Sequence, residues 1–387
     1  MRLGWVVTSA AAAAGATLGG LGLVIARRLT ASVGERRYEL TIRGVDRSGE
    51  RPVVLLDRTP RTAAPGAYCL LLESGGLVRL SRAVKDHGPT LVGREVLGPL
   101  DPSVRSGSRA SWSGIYFASP EDAGLEAVDV DIETDVGVAP AWLINPAGGP
   151  SSTWAIHIHG LGSSRAATLR GVQVAADAGL TSLVVTYRND REGPAVGSGR
   201  STLGATEVDD VRDAVRYALA HGASRIVLFG WSMGAAIALQ LAVDTELRGV
   251  VAGLVLESPV LDWVSTIKAN CVRSGLPAWA GTFAVPWLDS GFLARITGPG
   301  GRARLRDFDW TARADELAVP TLILHGSTDT SVPFAISSRL RDRRPDLVQL
   351  QKFHVDHAMT WNSDRDRWRV AVLSFLESCG EPEHAKG

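Results

Sequence analysis

Residues 226–242 read IVLFGWSMGAAIALQLA, in which a G-x-S-x-G pentapeptide lies between an apolar run and a small-residue helical pattern. The apolar run predicts a buried strand, and the residues after the pentapeptide predict a helix. At such a strand-to-helix turn the central serine takes a strained backbone conformation that exposes its Oγ. The strand and the helix almost touch there, and Gly230 and Gly234 leave the necessary room. Ser232 is therefore predicted to be a nucleophile.

The overall composition is that of an ordinary globular protein. With 387 residues, 45% of them hydrophobic, the chain can bury one large core or two unequal cores. Its 41 basic and 41 acidic residues balance, so charge gives no support to nucleic-acid binding. Cys69, Cys271 and Cys379 lie far apart, which argues against a zinc site or a disulfide framework. The sequence has no G-x-G-x-x-G after a strand and no G-K-[ST] loop, so no cofactor is expected.

Residues 3–26 contain no charged side chain and consist mostly of Ala, Gly, Leu and Val. At about 1.5 Å per residue, a helix of this length can cross the roughly 30 Å hydrocarbon layer of a membrane. Only Arg2 precedes the segment, whereas four arginines follow it between positions 27 and 37. By the positive-inside rule we expect an uncleaved single-pass anchor in the cell membrane, with the catalytic part in the cytoplasm. A cleaved signal peptide and a buried soluble helix are the alternatives.

Residues 36–145 show short alternating or β-branched runs, including one at 128–132, broken by Gly, Pro and Asp. This pattern is typical of strands and turns, and it shows almost no helical periodicity. We predict a β-rich N-terminal region here. The Pro- and Gly-rich residues 146–150 predict a turn into a second part.

In the second part, apolar runs of strand length alternate with helical patterns. The runs lie at 154–159, 182–187, 225–229, 250–256 and 320–324. Their composition is typical of strands buried on both faces of a parallel sheet. Residues 151–380 are therefore predicted to form a doubly wound, mostly parallel α/β domain with its active site at the carboxyl ends of the strands.

An activated serine needs a base and a group that orients the base. Asp329 lies in a loop just past a predicted strand, between Ser232 and the later histidines, in the order Ser, Asp, His. The alternative for Asp329 is a turn aspartate that caps the next helix. His354 and His357 follow in a loop after another apolar strand. His357 is preferred because it lies further beyond the strand, and His354 remains the alternative.

The Gly-rich bend at residues 159–162 ends the first strand of the α/β domain. Such a bend can aim a backbone N–H at a reacting carbonyl, and the N–H groups of Leu161 and Met233 are the expected oxyanion donors. His157 and His159 form an H-x-H pair of the kind found in metal sites. No acidic or histidine cluster follows close by, so no metal is expected.

Several stretches of the chain resemble α/β-hydrolases, in particular bacterial serine hydrolases related to the Bem46-like and serine aminopeptidase-like (S33) families. The stretches are HGLGSSRAATLR at 159–170, TYRND at 186–190, LGATEVDDVRDAVRYALAHGA at 203–223, LFGWSMG at 228–234, LVLESPVLDW at 254–263, LHGSTDTSVP at 324–333 and HAMTWN at 357–362. The resemblance implies an α/β-hydrolase fold with Ser232, Asp329 and His357 as its triad. It implies His357 because the family pattern has its histidine at the start of an H-x-x-x-W-N segment. Esterases, peptidases and proteins of unknown activity share this pattern, so no substrate follows from it.

Residues 262–315 form an insertion where such folds carry a cap. Its aromatic side chains form either a wall over the nucleophile, suited to an apolar acyl or aryl group, or the core of the cap itself. They are Trp263, Trp279, Phe283, Trp287, Phe292 and Trp310. Glu257 and Asp262 are alternative acids, although Glu257 is expected to make turn hydrogen bonds.

These features predict a membrane-anchored serine hydrolase that cleaves a small-molecule or lipid-like carboxylic ester through an acyl-enzyme intermediate. Few acids lie in the cap, which disfavours a site that reads the amino terminus of a peptide. An aminopeptidase or acyl-peptide hydrolase is the alternative within the same chemistry. A non-catalytic membrane scaffold, binding a partner through the β-rich region, is the alternative of another class.

Overall fold

Two β-sheets divide the chain in the computed structural model, which describes residues 17–31 and 36–380. The first sheet has seven strands in the order β1-β7-β4-β5-β6-β3-β2, and neighbouring strands are antiparallel. The strands are β1 (Leu40–Thr41), β2 (Gly44–Asp46), β3 (Val53–Asp57), β4 (Cys69–Leu72), β5 (Leu77–Asp86), β6 (Leu91–Leu97) and β7 (Arg109–Ser113). The sheet has an apolar core of its own, with Leu56, Leu70 and Leu80 fully buried.

The second sheet has eight strands in the order β15-β14-β13-β12-β10-β11-β9-β8. They are β8 (Val128–Thr134), β9 (Gly137–Ile144), β10 (Thr153–Ile158), β11 (Thr181–Val185), β12 (Arg225–Trp231), β13 (Val251–Glu257), β14 (Thr321–Gly326) and β15 (Val348–Phe353). Strands β10 to β15 are parallel, and β8 and β9 form an antiparallel edge. The assignment of the run at 128–132 to the β-rich region was therefore wrong, because β8 pairs with β9, which pairs with β11. The second sheet begins earlier in the chain than residue 151.

Side chains of the parallel strands alternate between two buried clusters. Ile156 and Leu228 face one cluster, whereas Ala155 and Phe229 face the other. The helices are α1 (17–29), α2 (Leu169–Asp177), α3 (Glu207–Ala220), α4 (Met233–Ala242), α5 (Trp263–Arg273), α6 (Val285–Asp289), α7 (Gly291–Thr297), α8 (Phe334–Arg343), α9 (Thr360–Ser363) and α10 (Arg365–Gly380). Helices α3 and α4 pack on the first cluster, and α2 and α10 pack on the second. The sheet is thus covered on both faces, as the alternating sequence pattern predicts.

The cap lies between β13 and β14 and contains α5, α6 and α7. Helix α1 packs against it, with Ile25 and Ala26 buried in the core. A Cβ at Gly22 would overlap the carbonyl oxygen of Phe283, so α1 and the cap are in backbone contact.

These contacts do not support the expectation of a membrane-spanning helix over residues 3–26. The second part of that segment is a helix that lies on the protein, and residues 3–16 fall outside the described residues. Within the described ranges, no helix combines the length and the apolar character needed to cross a bilayer. An uncharged, small-residue composition fits packing on the cap as well as it fits lipid, so composition alone does not distinguish the two.

Candidate active site

Ser232 lies at the carboxyl end of β12, immediately before α4. Its φ of +55° is in the region that non-glycine residues rarely adopt, as expected for a strained nucleophile turn. A Cβ at Gly234 would lie 2.6 Å from the carbonyl oxygen of His159, and a Cβ at Gly230 would lie 2.5 Å from the Cα of Ala235. Both glycines are therefore required by close backbone approach.

The structure brings together the three side chains singled out in the sequence. Ser232 Oγ lies 3.0 Å from His357 Nε2, and His357 Nδ1 lies 2.7 Å from Asp329 Oδ2. His354, the alternative base, is exposed, and its Nδ1 lies 3.5 Å from Ser327 Oγ. The hydrogen-bonded series Ser232–His357–Asp329 has the geometry needed for proton transfer from a serine to a histidine held by a carboxylate.

The carboxylate of Asp329 is fully buried and fully engaged. Its Oδ1 accepts the backbone N–H groups of Ser331 and Val332, at 2.8 and 2.7 Å, and its Oδ2 also lies 3.2 Å from His325 Nε2. Burial by itself would raise the pKa of Asp329, but the hydrogen bonds from the two histidines and from the Val332 N–H hold it well below its ordinary value. The group is therefore ionised and able to orient the imidazole of His357. Sequence reasoning did not single out His325, whose only signal is its position four residues before the acid.

The two expected oxyanion donors lie beside the serine. Leu161 lines the same cavity as Ser232, and Met233 is the first residue of α4. A Cβ at Gly160 would lie 3.2 Å from the Cβ of Ser232, so this glycine allows the bend to run against the nucleophile.

The histidine that begins this bend has a positioning role. The ring of His159 lies 3.1 Å from Asp190 Oδ2 and 3.0 Å from the hydroxyl of Tyr187, and it is buried. Burial would raise the pKa of Asp190, but the hydrogen bond with His159 and two backbone N–H groups hold it below its ordinary value. The buried hydrogen bonds among His159, Asp190 and Tyr187 thus hold the Gly-rich bend in place.

A second serine–histidine pair lies inside the sheet. His157 Nε2 is 3.0 Å from Ser182 Oγ, and both side chains are completely buried within β10 and β11. Burial lowers the pKa of His157 to about 3, so the ring is neutral. With no access to solvent, this pair holds neighbouring strands together. The part of the chain that the structure describes contains no group of three or more His, Cys, Asp or Glu side chains able to hold a metal ion.

The sequence of this chain was compared with models of known protein families. The model described as "Alpha/beta hydrolase family" matches residues 143–380, more than half of the chain. The chain belongs to the alpha/beta hydrolase family. A second model, a domain of unknown function called DUF8805, matches residues 41–113 of this hydrolase, which correspond to the first sheet.

Two curated proteins are similar to part of the hydrolase. The human protein ABHD12B is 29% identical over 195 residues, and the match covers 48% of this chain and 48% of that protein. The chain therefore spans about half the length of that relative. The putative carbamate hydrolase RutD of Variovorax paradoxus (strain S110) is 29% identical over 219 residues, which cover 48% of this chain and 80% of that protein.

Solved structures share the fold. An esterase of Pyrococcus furiosus matches with a TM-score of 0.52 and 21% identity, covering 67% of this chain and 94% of that one. Est1E from Butyrivibrio proteoclasticus, solved with ferulic acid bound, matches with a TM-score of 0.51 and 18% identity, covering 64% and 98%. At these identities the matches establish the fold and leave the substrate open.

The loop that carries His357 is held by buried side chains from distant parts of the hydrolase. Glu257 Oε1 accepts the Thr360 N–H at 3.0 Å, and Arg170 Nη2 donates to the Ala358 carbonyl at 3.0 Å. Arg170 and Glu257 also form an ion pair at 3.3 Å, and burial lowers the pKa of Arg170 while the charge of Glu257 opposes that shift.

These contacts decide between the alternative acids. Glu257 accepts a hydrogen bond from the backbone of the histidine loop. Asp262 is the N-cap residue of α5 and accepts the backbone N–H groups of Val264 and Ser265. Arg170 was not singled out in the sequence, although it lies within the family-like stretch 159–170.

A cavity of about 200 Å³ opens on Ser232 and His357. Its lining is Gly114, Ile115, Gly160, Leu161, Ser163, Ala167, Arg170, Trp231, Ser232, His357, Ala358 and Met359. None of the six aromatic residues of the cap is in this lining. Trp263 and Trp310 are buried, whereas Trp279 and Phe292 are 58% and 72% exposed. The structure thus favours a cap that uses buried rings for its own core over an aromatic wall above the nucleophile.

Proposed function

We propose that this hydrolase cleaves carboxylic esters through an acyl-enzyme intermediate. The observation that carries the proposal is the continuous series of hydrogen bonds, 3.0 Å from Ser232 to His357 and 2.7 Å from His357 to Asp329. His357 Nε2 takes the proton of Ser232 Oγ as the oxygen attacks the ester carbonyl carbon. It then gives the proton to the departing alcohol oxygen as the ester C–O bond breaks. A water molecule releases the acid by the same sequence of steps.

The negative charge on the carbonyl oxygen needs donors during each attack. The backbone N–H groups of Leu161 and Met233 are proposed to supply them. Their position supports this role, since one lines the cavity beside Ser232 and the other begins α4. The amino end of a helix also carries partial positive charge that favours an anion.

The lining of the cavity supports an ester over a peptide with a free amino terminus. A carboxylate within hydrogen-bond distance is the strongest side-chain partner for a protonated amine. No Asp or Glu side chain is among the described residues that line the cavity. The apolar side chains of Ile115, Leu161 and Met359 lie there instead, which suits an uncharged group.

Substitution of the nucleophile tests the proposal. We expect Ser232→Ala to lower turnover of p-nitrophenyl acetate by roughly 10⁵- to 10⁶-fold, because the nucleophile is lost while the fold is retained. Ser182→Ala is the matched control, since it removes the serine of the other serine–histidine pair. It is expected to keep its turnover per folded molecule, measured beside circular dichroism. Unchanged turnover in Ser232→Ala would overturn the proposal.

Substitution and activity measurements also distinguish the two candidate histidines, and they distinguish an esterase from an aminopeptidase. His357→Gln is expected to lose activity as Ser232→Ala does, whereas His354→Gln is expected to retain it, because His354 lies near Ser327. A panel of esters, aryl carbamates and aminoacyl p-nitroanilides completes the test. Faster turnover of the anilides than of every ester would replace the ester proposal with an aminopeptidase.

A further inference from the structure

We propose that the first sheet completes the active site, and that Ile115, contributed by the loop after β7, limits the size of the substrate group that lies beside Ser232. The inference rests on the proposed function, because it concerns the substrate of the same site. Ile115 lies just after residues 41–113, which match a domain of unknown function.

The loop after β7, residues 114–117, is here called the β7 loop. Gly114 and Ile115 of this loop line the cavity that opens on Ser232 and His357. One wall of the cavity is therefore supplied by the polypeptide that leaves the first sheet. The rest of its lining comes from the hydrolase fold.

The size of the cavity indicates what it can hold. One water molecule takes up about 30 Å³ in the liquid, so the 200 Å³ of the cavity corresponds to roughly six or seven water-sized groups. Pockets for drug-sized ligands are larger, at roughly 300–1,000 Å³. The lining includes Ile115, Leu161 and Met359 and no carboxylate among the described residues. These properties fit a short, uncharged group attached to the reacting carbonyl.

The β7 loop is fixed against the loop that carries the histidine. The Gly114 carbonyl accepts hydrogen bonds from Arg170 Nη1 at 3.2 Å and from Asn362 Nδ2 at 3.0 Å. A Cβ at Gly114 would lie 3.1 Å from Asn362 Oδ1 and 3.3 Å from Met359 Cγ. The wall at Ile115 therefore has little freedom to withdraw from a larger substrate.

A buried asparagine joins the first sheet to the same loop. Asn362 Nδ2 donates to the Ala67 carbonyl at 2.7 Å, and the Ala67 N–H donates to the Asn362 carbonyl at 2.8 Å. The rings of Tyr116 and Trp361 pack beside this contact, with centroids 5.4 Å apart. Because Asn362 is 1% exposed, these hydrogen bonds form away from water. They fix the position of the first sheet relative to the active site.

Ile115 is well suited to limit size. Its side chain is half-buried, so it presents a surface to the cavity, and its β-branched shape restricts rotation about χ1. A stiff wall rejects an added methylene more strongly than a flexible one, and one methylene in an apolar pocket is worth roughly 10- to 200-fold in kcat/KM.

The test measures chain-length preference in the full chain. One series of p-nitrophenyl esters runs from acetate to octanoate with a constant leaving group, and one series of acetate esters varies the alcohol. Ile115→Ala is expected to shift the optimum of one series toward longer groups, with a gain of roughly tenfold for the longer group relative to acetate. Ile115→Trp is expected to restrict the same series to its shortest members. The series that responds identifies which part of the ester occupies the cavity.

Leu40→Ala is the matched control, because it removes the same number of carbons from the half-buried surface of the first sheet without lining the cavity. It is expected to leave both length profiles unchanged. The inference is overturned if both Ile115 variants are labelled by a fluorophosphonate and keep the original profile in both series. It is also overturned if Leu40→Ala shifts the profile as Ile115→Ala does. Failure of the unmodified protein to react with the fluorophosphonate would instead overturn the proposed function, on which the inference rests.

Discussion

The serine and the histidine of this hydrolase are positioned by contacts of different range. The backbone turn at Ser232 depends on its immediate neighbours, since Gly230 leaves room for Ala235 between β12 and α4. His357 lies in a loop that is held from outside, by Arg170 on α2 and by Glu257 at the end of β13. The same loop also contacts the first sheet.

The two parts of the site therefore depend on the rest of the chain to different degrees. A steric constraint among residues adjacent in sequence is present wherever the local strand and helix form. A buried network of charges and carbonyls exists only when distant elements have already packed. We therefore expect substitutions near Ser232 to destabilise the site by steric overlap with the backbone. Substitutions around His357 should destabilise it by leaving buried polar groups without partners.

Among the substitutions around the two side chains, the largest effect is expected from Asp329→Asn, which acts on activity through His357. The variant keeps the shape of the acid but loses the charge that orients and stabilises His357, so kcat should fall by roughly 10⁴-fold. Steady-state kinetics with a short-chain ester measures the change. A loss smaller than tenfold would contradict the role given to Asp329.

Arg170→Met is expected to have the next largest effect, on stability and activity together. It leaves the carboxylate of Glu257 buried without its ion-pair partner, which costs about 3–5 kcal/mol. The double variant Arg170→Met, Glu257→Gln removes that charge and should recover part of the loss in urea unfolding. A double variant less stable than Arg170→Met alone would contradict the long-range account of the histidine loop.

Gly230→Ala tests whether local backbone sterics hold the turn at the serine. Its added Cβ would lie 2.5 Å from the Cα of Ala235, so the variant should lose about 3 kcal/mol of unfolding free energy, the upper end of ordinary overpacking. Gly148→Ala is the control, since a Cβ there meets no atom within 4 Å and its φ is ordinary. Equal melting temperatures for the two variants would show that close backbone approach does not hold the turn.

The last prediction concerns acid stability. The pKa of Asp329 in the folded chain lies below its ordinary value of about 3.9, so its charge stabilises the fold above that pH. This contribution is lost as the pH falls through the lowered pKa, at about 1.4 kcal/mol for each unit between the two values. Unfolding free energies measured between neutral and strongly acid pH should fall more steeply for the unmodified protein than for Asp329→Asn. Parallel curves would contradict the prediction.

What the sequence predicts follows the same division between local and distant contacts. The residues of the strand-to-helix turn at Ser232 are adjacent in sequence, and the turn has the geometry predicted from the pentapeptide. Asp329 and His357 could be chosen from their order along the chain, their loop positions and the family resemblance, and the structure brings them to the serine. The parallel α/β sheet was predicted correctly because its strands are buried on both faces and read as continuous apolar runs.

Other contacts of the site and the fold depend on which distant elements pack together, and no local sequence pattern predicts that packing. Arg170 and Asn362 gave no signal beyond their place in family-like stretches. The strand at 128–134 looks like its predecessors, yet it pairs with the second sheet. The apolar residues of α1 pack against the cap, although their composition predicted a membrane span.

Activation of Ser232 by His357 underlies the proposed function. The most direct test is to expose the protein to a fluorophosphonate, which loses fluoride when a serine attacks its phosphorus, and to map the adduct by mass spectrometry. We expect a single adduct on Ser232, absent in Ser232→Ala and present in Ser182→Ala. An adduct on another serine, or no adduct on the folded protein, would contradict it.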